Sequence, residues 1–426
     1  MTTAAPARPL ALAGAGIGVV GVAFGMARYG FGLLAPDIRG SFSLSSGRLG
    51  LLAAASYVAY LVTSVTAGLL TARLGPRTIV AAGGACAVVG MVAAGLAPTP
   101  AVLFVGLLVA GASAGLVFPP FADVVARSLQ VEKRPRVLAA ISSGTGWGVA
   151  VAAPVAIAVG TSWRTAWLLF AALAGVATVW ALLVLPGRAL GGREAVALRL
   201  RWFVCPRSGR LLIGAGVIGV ASSVYWTFAV DRLVAAGGVS SADARVFLGL
   251  VGVASVGGTV AGDAVRRFGG AAVFVCALVA EAGALALLGL SPGSGGAAAA
   301  SAILFGAAYN VVVAVEVIWS ARVFASRPSA GLAAILFVQA VGALIGPPVL
   351  GAAADEVGFA AVFCGAAGLL AATTALAPRE SVTVVAFRAG RLQLHRPVER
   401  MSQERHNDDP RGPGPLNGGS SCSLGS

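Results

Sequence analysis

The chain alternates long apolar runs with short polar breaks. Six runs fall at residues 11–35, 48–72, 78–97, 99–128, 137–160 and 165–185. A basic stretch follows at 186–209, PGRALGGREAVALRLRWFVCPRSG, and then six more runs at 210–235, 244–265, 271–290, 297–322, 329–353 and 357–377. At about 1.5 Å per residue each run can cross a hydrocarbon core about 30 Å thick. The pattern predicts an all-α polytopic membrane protein of twelve transmembrane helices in two six-helix halves. Residues 1–10 form a cytoplasmic N-terminus, 11–185 the first half, 186–209 a cytoplasmic hinge, 210–378 the second half and 379–426 a Gly/Pro/Arg/Ser-rich tail expected to be disordered.

Composition agrees with a membrane setting. The chain is 58% hydrophobic and 11% charged, against about a quarter charged in soluble domains. Its 59 glycines suit helices that pack through small residues. The net charge of +14 invites a nucleic-acid reading, but the basic residues are segregated. Of 30 Lys and Arg, only Arg39, Arg48, Arg164, Arg232 and Arg245 fall on the side opposite the hinge, and Arg28 lies within a span. Such asymmetry places both termini and the hinge in the cytoplasm and needs no nucleic acid. The five cysteines show no paired spacing, so neither a disulfide framework nor a metal site is expected. No cleavage site follows the first apolar run, which reads as a retained helix.

The halves repeat at a shift near 194. Gly68 meets Gly262, Arg73 meets Arg267 and Gly75 meets Gly269. Gly111 meets Gly306, Pro154 meets Pro347 and Trp167 meets Phe363 at nearly the same offset. A parallel repeat of this kind suits a rocking carrier. The loop GLLTARLGPR at 68–77 resembles the G-x-x-x-D-R-x-G-R-R hallmark of the major facilitator superfamily through Gly68, Arg73, Gly75 and Arg77. Ala72 replaces the usual aspartate and Pro76 a basic residue, and Leu107 stands at the family's fourth-span arginine. GPPVLG at 346–351 is similar to the family's G-P-x-x-G element, whereas the fifth span keeps only Pro154. FGMARYGFGLLAP in the first span further resembles the YbfB/YjiJ-like branch.

The resemblance implies that the first, fourth, seventh and tenth spans line a central cavity and that the third, sixth, ninth and twelfth form a shell. Each cavity span carries an ionisable residue: Arg28, Asp123, Asp231 and Glu316. A charge near the bilayer centre costs about 2.5–3.5 kcal/mol on the most lenient scale, so these are candidates for function. Glycines 14, 18, 21, 25 and 32 share one helical face, and Arg28 fills the missing place, which turns it into the protein. Its guanidinium needs an acceptor, either Asp231 or Glu316 across the cavity or an anionic group on a substrate.

Asp123 has an alternative partner in Arg127 one turn on, and Asp231 is compatible with a solvated helix end. Glu316 lies deeper, with Tyr309 two turns back, and is the candidate proton carrier. Glu281 is out of place on a shell helix, where a protonated carboxyl hydrogen-bonded to a neighbour is one account and its role stays open. Tyr29, Trp147, Tyr225, Thr227, Tyr309, Asn310 and Gln339 complete the candidate substrate or coupling set. Gly68, Arg73, Gly75 and Arg77 with Gly262, Asp263, Arg267 and Gly269 form candidate gating loops.

Both histidines are in the tail, and no phosphate loop appears, so ATP is not expected to drive the cycle. The reading is a monomeric, proton-coupled secondary transporter of a small organic solute in the plasma membrane, with no cofactor. A transport-inactive sensor or scaffold is the competing class. An intramembrane enzyme would need a nucleophile–base set or an HExxH pair, and the sequence offers neither.

Overall fold

A computed structural model describes residues 9–130, 133–186, 208–237, 239–325 and 328–378. The N-terminus, most of the 186–209 hinge and the 379–426 tail lie outside the described residues. Among those described there is no strand, and twelve apolar helical spans run back and forth. The first joins Pro9–Val20, a π-helical turn at Gly21–Met26 and Gly30–Phe42. Ser46–Leu74, Pro76–Gly95, Pro100–Ser128, Arg134–Ala158 and Trp163–Val184 complete the first half. The second opens with Gly209–Gly237, followed by an eighth span of Ser241–Ser255, a 3-10 segment at Val256–Val260 and Ala261–Phe268. Gly270–Leu290 and Gly295–Val323 come next. The helical stretch Pro328–Thr373 is the last two spans, separated at Gly358 with φ 82° and ψ 157°.

The internal repeat is written into the backbone. Gly75 and Gly269 each end one span and begin the next, with φ/ψ of 86°/156° and 84°/150°. That region is essentially closed to residues with a side chain, so a one-residue reversal between helices calls for glycine. Four spans start on a hydroxyl cap. Ser45 accepts from the Arg48 amide and Thr99 from that of Val102, and 195 residues later Ser240 and Ser294 cap Asp243 and Ala297 in the same way. Each cap satisfies an otherwise orphaned amide. A side chain at Gly111 would meet the backbone of Ser56, and one at Gly306 that of Val251, again 195 residues apart. Each half therefore packs its fourth helix on its second through the same backbone contact.

The halves meet along two seams. The second span lies on the eleventh, where Gly50 abuts the backbone of Pro347 and Gly351 that of Ser46. The fifth lies on the eighth, where Gly146 abuts Gly252 and Ser255. The first also crosses to the seventh, with Gly32 against the carbonyl of Trp226. These contacts occupy the middle of the bundle and the end away from the hinge, called here the far end. Leu51, Val62, Val89, Val105, Val176, Leu183 and Ile213 lie exposed on the outer surface, as lipid-facing side chains must in a bilayer protein.

Candidate functional site

The glycine-rich first span is not one regular helix. The amides of Ala27 and Tyr29 reach back to the carbonyls of Val22 and Phe24, each five residues earlier, and the chain turns at Ala27–Tyr29 before the helix resumes. Such π-bulges recur at functional sites. The extra residue rotates the glycine face expected to be continuous. Gly14 and Gly18 lie against Trp180 of the sixth span, Gly21 and Gly25 against Gly144 and Gly148 of the fifth, and Gly32 against the seventh. Arg28 sits at the break.

Its guanidinium is surrounded by rings. The carbon Cζ lies 4.0 Å from the ring centre of Tyr57, 4.5 Å from Tyr60, 5.4 Å from Tyr29 and 5.8 Å from Phe24. Cation–π contacts of this type contribute about 0.5–1 kcal/mol at exposed sites and about 2 kcal/mol once water is excluded, and Arg28 lies between these limits. No carboxylate among the described residues pairs with Arg28. The groups that act on its charge are Tyr29, Tyr57, Tyr60 and Tyr309, and its Nε, though buried, has no hydrogen-bond partner. Tyr57 and Tyr60 stand three residues apart on the second span, and nothing in the sequence connects them to Arg28.

The rings continue across the boundary between the halves. Tyr29 stacks on Trp226 at 4.2 Å, and Trp226 meets Phe305 and Tyr309 edge-on at 5.4 and 5.8 Å. Phe305 stacks in turn on Tyr225 at 3.7 Å. The indole nitrogen of Trp226 is buried without an acceptor. Arg28, Tyr60 and Tyr309 are half-buried, on the hinge side of the contacts that join the halves.

The two acids considered as internal partners of Arg28 lie elsewhere. Asp231 is buried rather than solvated, and binds Arg39 at 2.7 Å. Glu316 is buried with Oε1 unpartnered, and the acid acting on it is Glu281. Glu281 in turn accepts a 2.5 Å hydrogen bond from Ser222 of the seventh span, so a shell helix reaches the cavity helix with a carboxyl group. Beside it the hydroxyls of Tyr225 and Ser301 lie 2.8 Å apart, and Ser301 donates to the Ala284 carbonyl. Gln339 is buried against Gly219, with its amide nitrogen unpartnered.

Other candidates are committed to structure. Asp123 pairs with Arg127 at 2.9 Å near the hinge end. Asn310 donates to the Ser255 carbonyl at 2.8 Å, where the eighth span passes into its 3-10 segment. Trp147 is 46% exposed on the same side of its helix as Val151 and joins none of the ring contacts, which fits a lipid-facing residue. Thr227 is buried on the seventh span. Of the loop residues, Arg73, Arg77 and Arg267 are exposed and Asp263 pairs with Arg266, while nothing would crowd a side chain at Gly262.

The far end holds polar links that the sequence did not single out. Arg245 of the eighth span reaches Asp37 of the first at 2.6 Å and the Ala156 carbonyl of the fifth at 2.9 Å. Asp355 accepts from the backbone amides of Ser46 and Gly47 at 2.7 and 2.9 Å, capping the second span from the eleventh. With Arg39–Asp231, these tie the first half to the second.

Twelve spans in two repeated halves, with a charged aromatic seam between them, define a carrier of the major facilitator type. The structure of a point variant of the nucleoside transporter NupG has this fold at TM-score 0.73 and 14% identity, covering 86% of this chain and 98% of that one. A bacterial homologue of the human lysosomal transporter Spinster, inward-facing and unoccupied, gives TM-score 0.67 at 17% identity over 88% and 95%. Comparison with curated proteins finds no match. The model of the uncharacterised MFS-type transporter YbfB matches residues 20–377, and the chain belongs to that family.

Proposed function

We propose that this multi-pass membrane transporter is a secondary carrier that moves a small organic solute by alternating access, coupled to protons. The observation that carries the reading is the position of the polar links between halves. Asp37–Arg245, Arg39–Asp231 and Asp355 with the Ser46 and Gly47 amides all lie at the far end. Arg28 and its rings lie on the hinge side of them. A carrier closed at one end by ion pairs, with its binding groups toward the other, has the parts needed to rock between two openings. With the hinge and termini cytoplasmic, as the charge asymmetry suggests, this is the inward-facing arrangement in the plasma membrane.

Arg28 is the substrate anchor in this reading, and Glu316 carries the proton, because a buried carboxyl with an unpartnered oxygen is suited to taking up and losing one. Uptake into proteoliposomes with and without a pH gradient tests the proposal. Gradient-dependent accumulation of a solute supports it. Solute binding without any flux or exchange would instead favour a transport-inactive sensor.

A further inference from the structure

We propose that the site at Arg28 takes a planar aromatic monocarboxylate; this rests on the transporter reading and narrows its substrate. Four features define the chemistry. Rings crowd over the guanidinium, with Tyr57 at 4.0 Å and Tyr60 at 4.5 Å, and the hydroxyls of both engage it, so the part of its in-plane N–H edge that they leave is what meets a ligand. That edge includes the buried Nε, which has no partner. A carboxylate matches such an edge with two parallel hydrogen bonds, which a neutral hydroxyl cannot.

Among the described residues, the cation at these rings is also a single one. The groups acting on Arg28 are tyrosines, and the outer arginines Arg39 and Arg245 are bound to Asp231 and Asp37. One positive charge balances one negative charge, so a dianion entering this low-dielectric site would carry uncompensated charge. A cationic solute would face Arg28 directly.

The third feature is the wall. Tyr29, Trp226, Phe305 and Tyr309 form an unbroken run of rings beside the guanidinium, stacked at 4.2 Å and 5.7 Å or edge-on at 5.4 Å and 5.8 Å. A flat π-system meets such rings in offset or edge-to-face contact, which stabilises it beyond area burial alone. Flexible aliphatic acids offer no flat face to these rings, and neutral sugars offer no anion to the guanidinium. Finally, the buried indole N–H of Trp226 supplies one unpaired donor within this wall, suited to a ring heteroatom or to the second carboxylate oxygen.

Isothermal titration calorimetry on the full chain in lipid nanodiscs tests the assignment. The probes are benzoate, nicotinate and indole-3-acetate, set against benzyl alcohol, acetate, phthalate and phenyltrimethylammonium. At least one aromatic monocarboxylate should bind ten-fold or more tighter than every comparison compound. Arg28→Lys should weaken that binding by more than ten-fold, and Trp226→Leu by several-fold, with the melting temperature of the empty protein used to confirm that each variant folds. If Arg28→Lys fails to fold, Trp226→Leu alone decides. Failure of all three acids to bind, equal binding of benzyl alcohol, or unchanged affinity in a folded variant would overturn the assignment. Transport of neutral or cationic solutes only would overturn it while leaving the carrier reading intact. Tight binding of the acids without flux would do the reverse.

Discussion

The carboxylate of Asp37, near the end of the first span, lies 2.6 Å from Nη2 of Arg245 on the eighth, with Arg245 buried and Asp37 largely so. The pair joins helices from opposite halves, so opening the far end must separate two charges. Removing one partner of a buried pair leaves the other uncompensated, at about 3–5 kcal/mol. Asp37→Asn should therefore shift the resting population toward the far-open form. A cysteine in place of Ser46, which is buried at the far-end seam, should then react with an impermeant thiol reagent at least ten-fold faster than in the otherwise native protein. Unchanged reactivity would mean that Asp37–Arg245 is not part of the closure.

Asp355 acts on the same end by another route, accepting two amides at the start of the second span. Asp355→Ala removes both bonds. Loss of a cap costs about 0.5–2 kcal/mol, so the melting temperature should fall by a few degrees and far-end reactivity should rise. Gly40→Ala, where no atom lies within 4 Å of the added methyl, serves as a neutral control.

Gly75 and Gly269 adopt matched backbone angles that side chains resist. Gly75→Leu and Gly269→Leu should each reduce turnover several-fold and lower thermal stability, because the reversal between spans is strained whatever the space around it. Gly262→Ala should leave turnover within two-fold, since its surroundings are open and its φ is ordinary. Equal effects at all three positions would mean that the backbone angles are not the cause.

Glu316→Gln keeps shape and hydrogen bonding but cannot release a proton. It should abolish accumulation driven by a pH gradient and spare exchange of substrate for substrate, which needs no net deprotonation. Glu281→Gln is the companion test, given its bond to Ser222. If accumulation survives in Glu316→Gln and fails in Glu281→Gln, the proton is carried by the ninth span.

Topology has its own check. Cysteines at residues 195 and 410 should resist an impermeant reagent in intact cells, and one at residue 99 should react. Labelling at 195 from outside would reverse the orientation drawn from the arginine distribution.

The primary sequence by itself determined the class of the protein. Twelve apolar runs, the offset near 194 and the Gly68–Arg77 loop specify two six-helix halves, because span length and backbone satisfaction in lipid leave helices as the only solution for such runs. It also marked Arg28 as a charge on an inward face, since a local periodicity suffices for that. The repeated caps at Ser45, Thr99, Ser240 and Ser294 emerged only from the structure.

Which side chains meet was decided only in three dimensions. Arg28 and Tyr57 are 29 residues apart on helices whose rotation depends on a π-bulge, and one extra residue in a turn swings every later side chain by about 100°. Arg245 finds Asp37, and Asp231 finds Arg39, across an interface between halves whose register no pattern within one helix encodes. Ionic and aromatic partners are chosen by contact over a few ångströms, and spacing along a single chain does not report distances between helices.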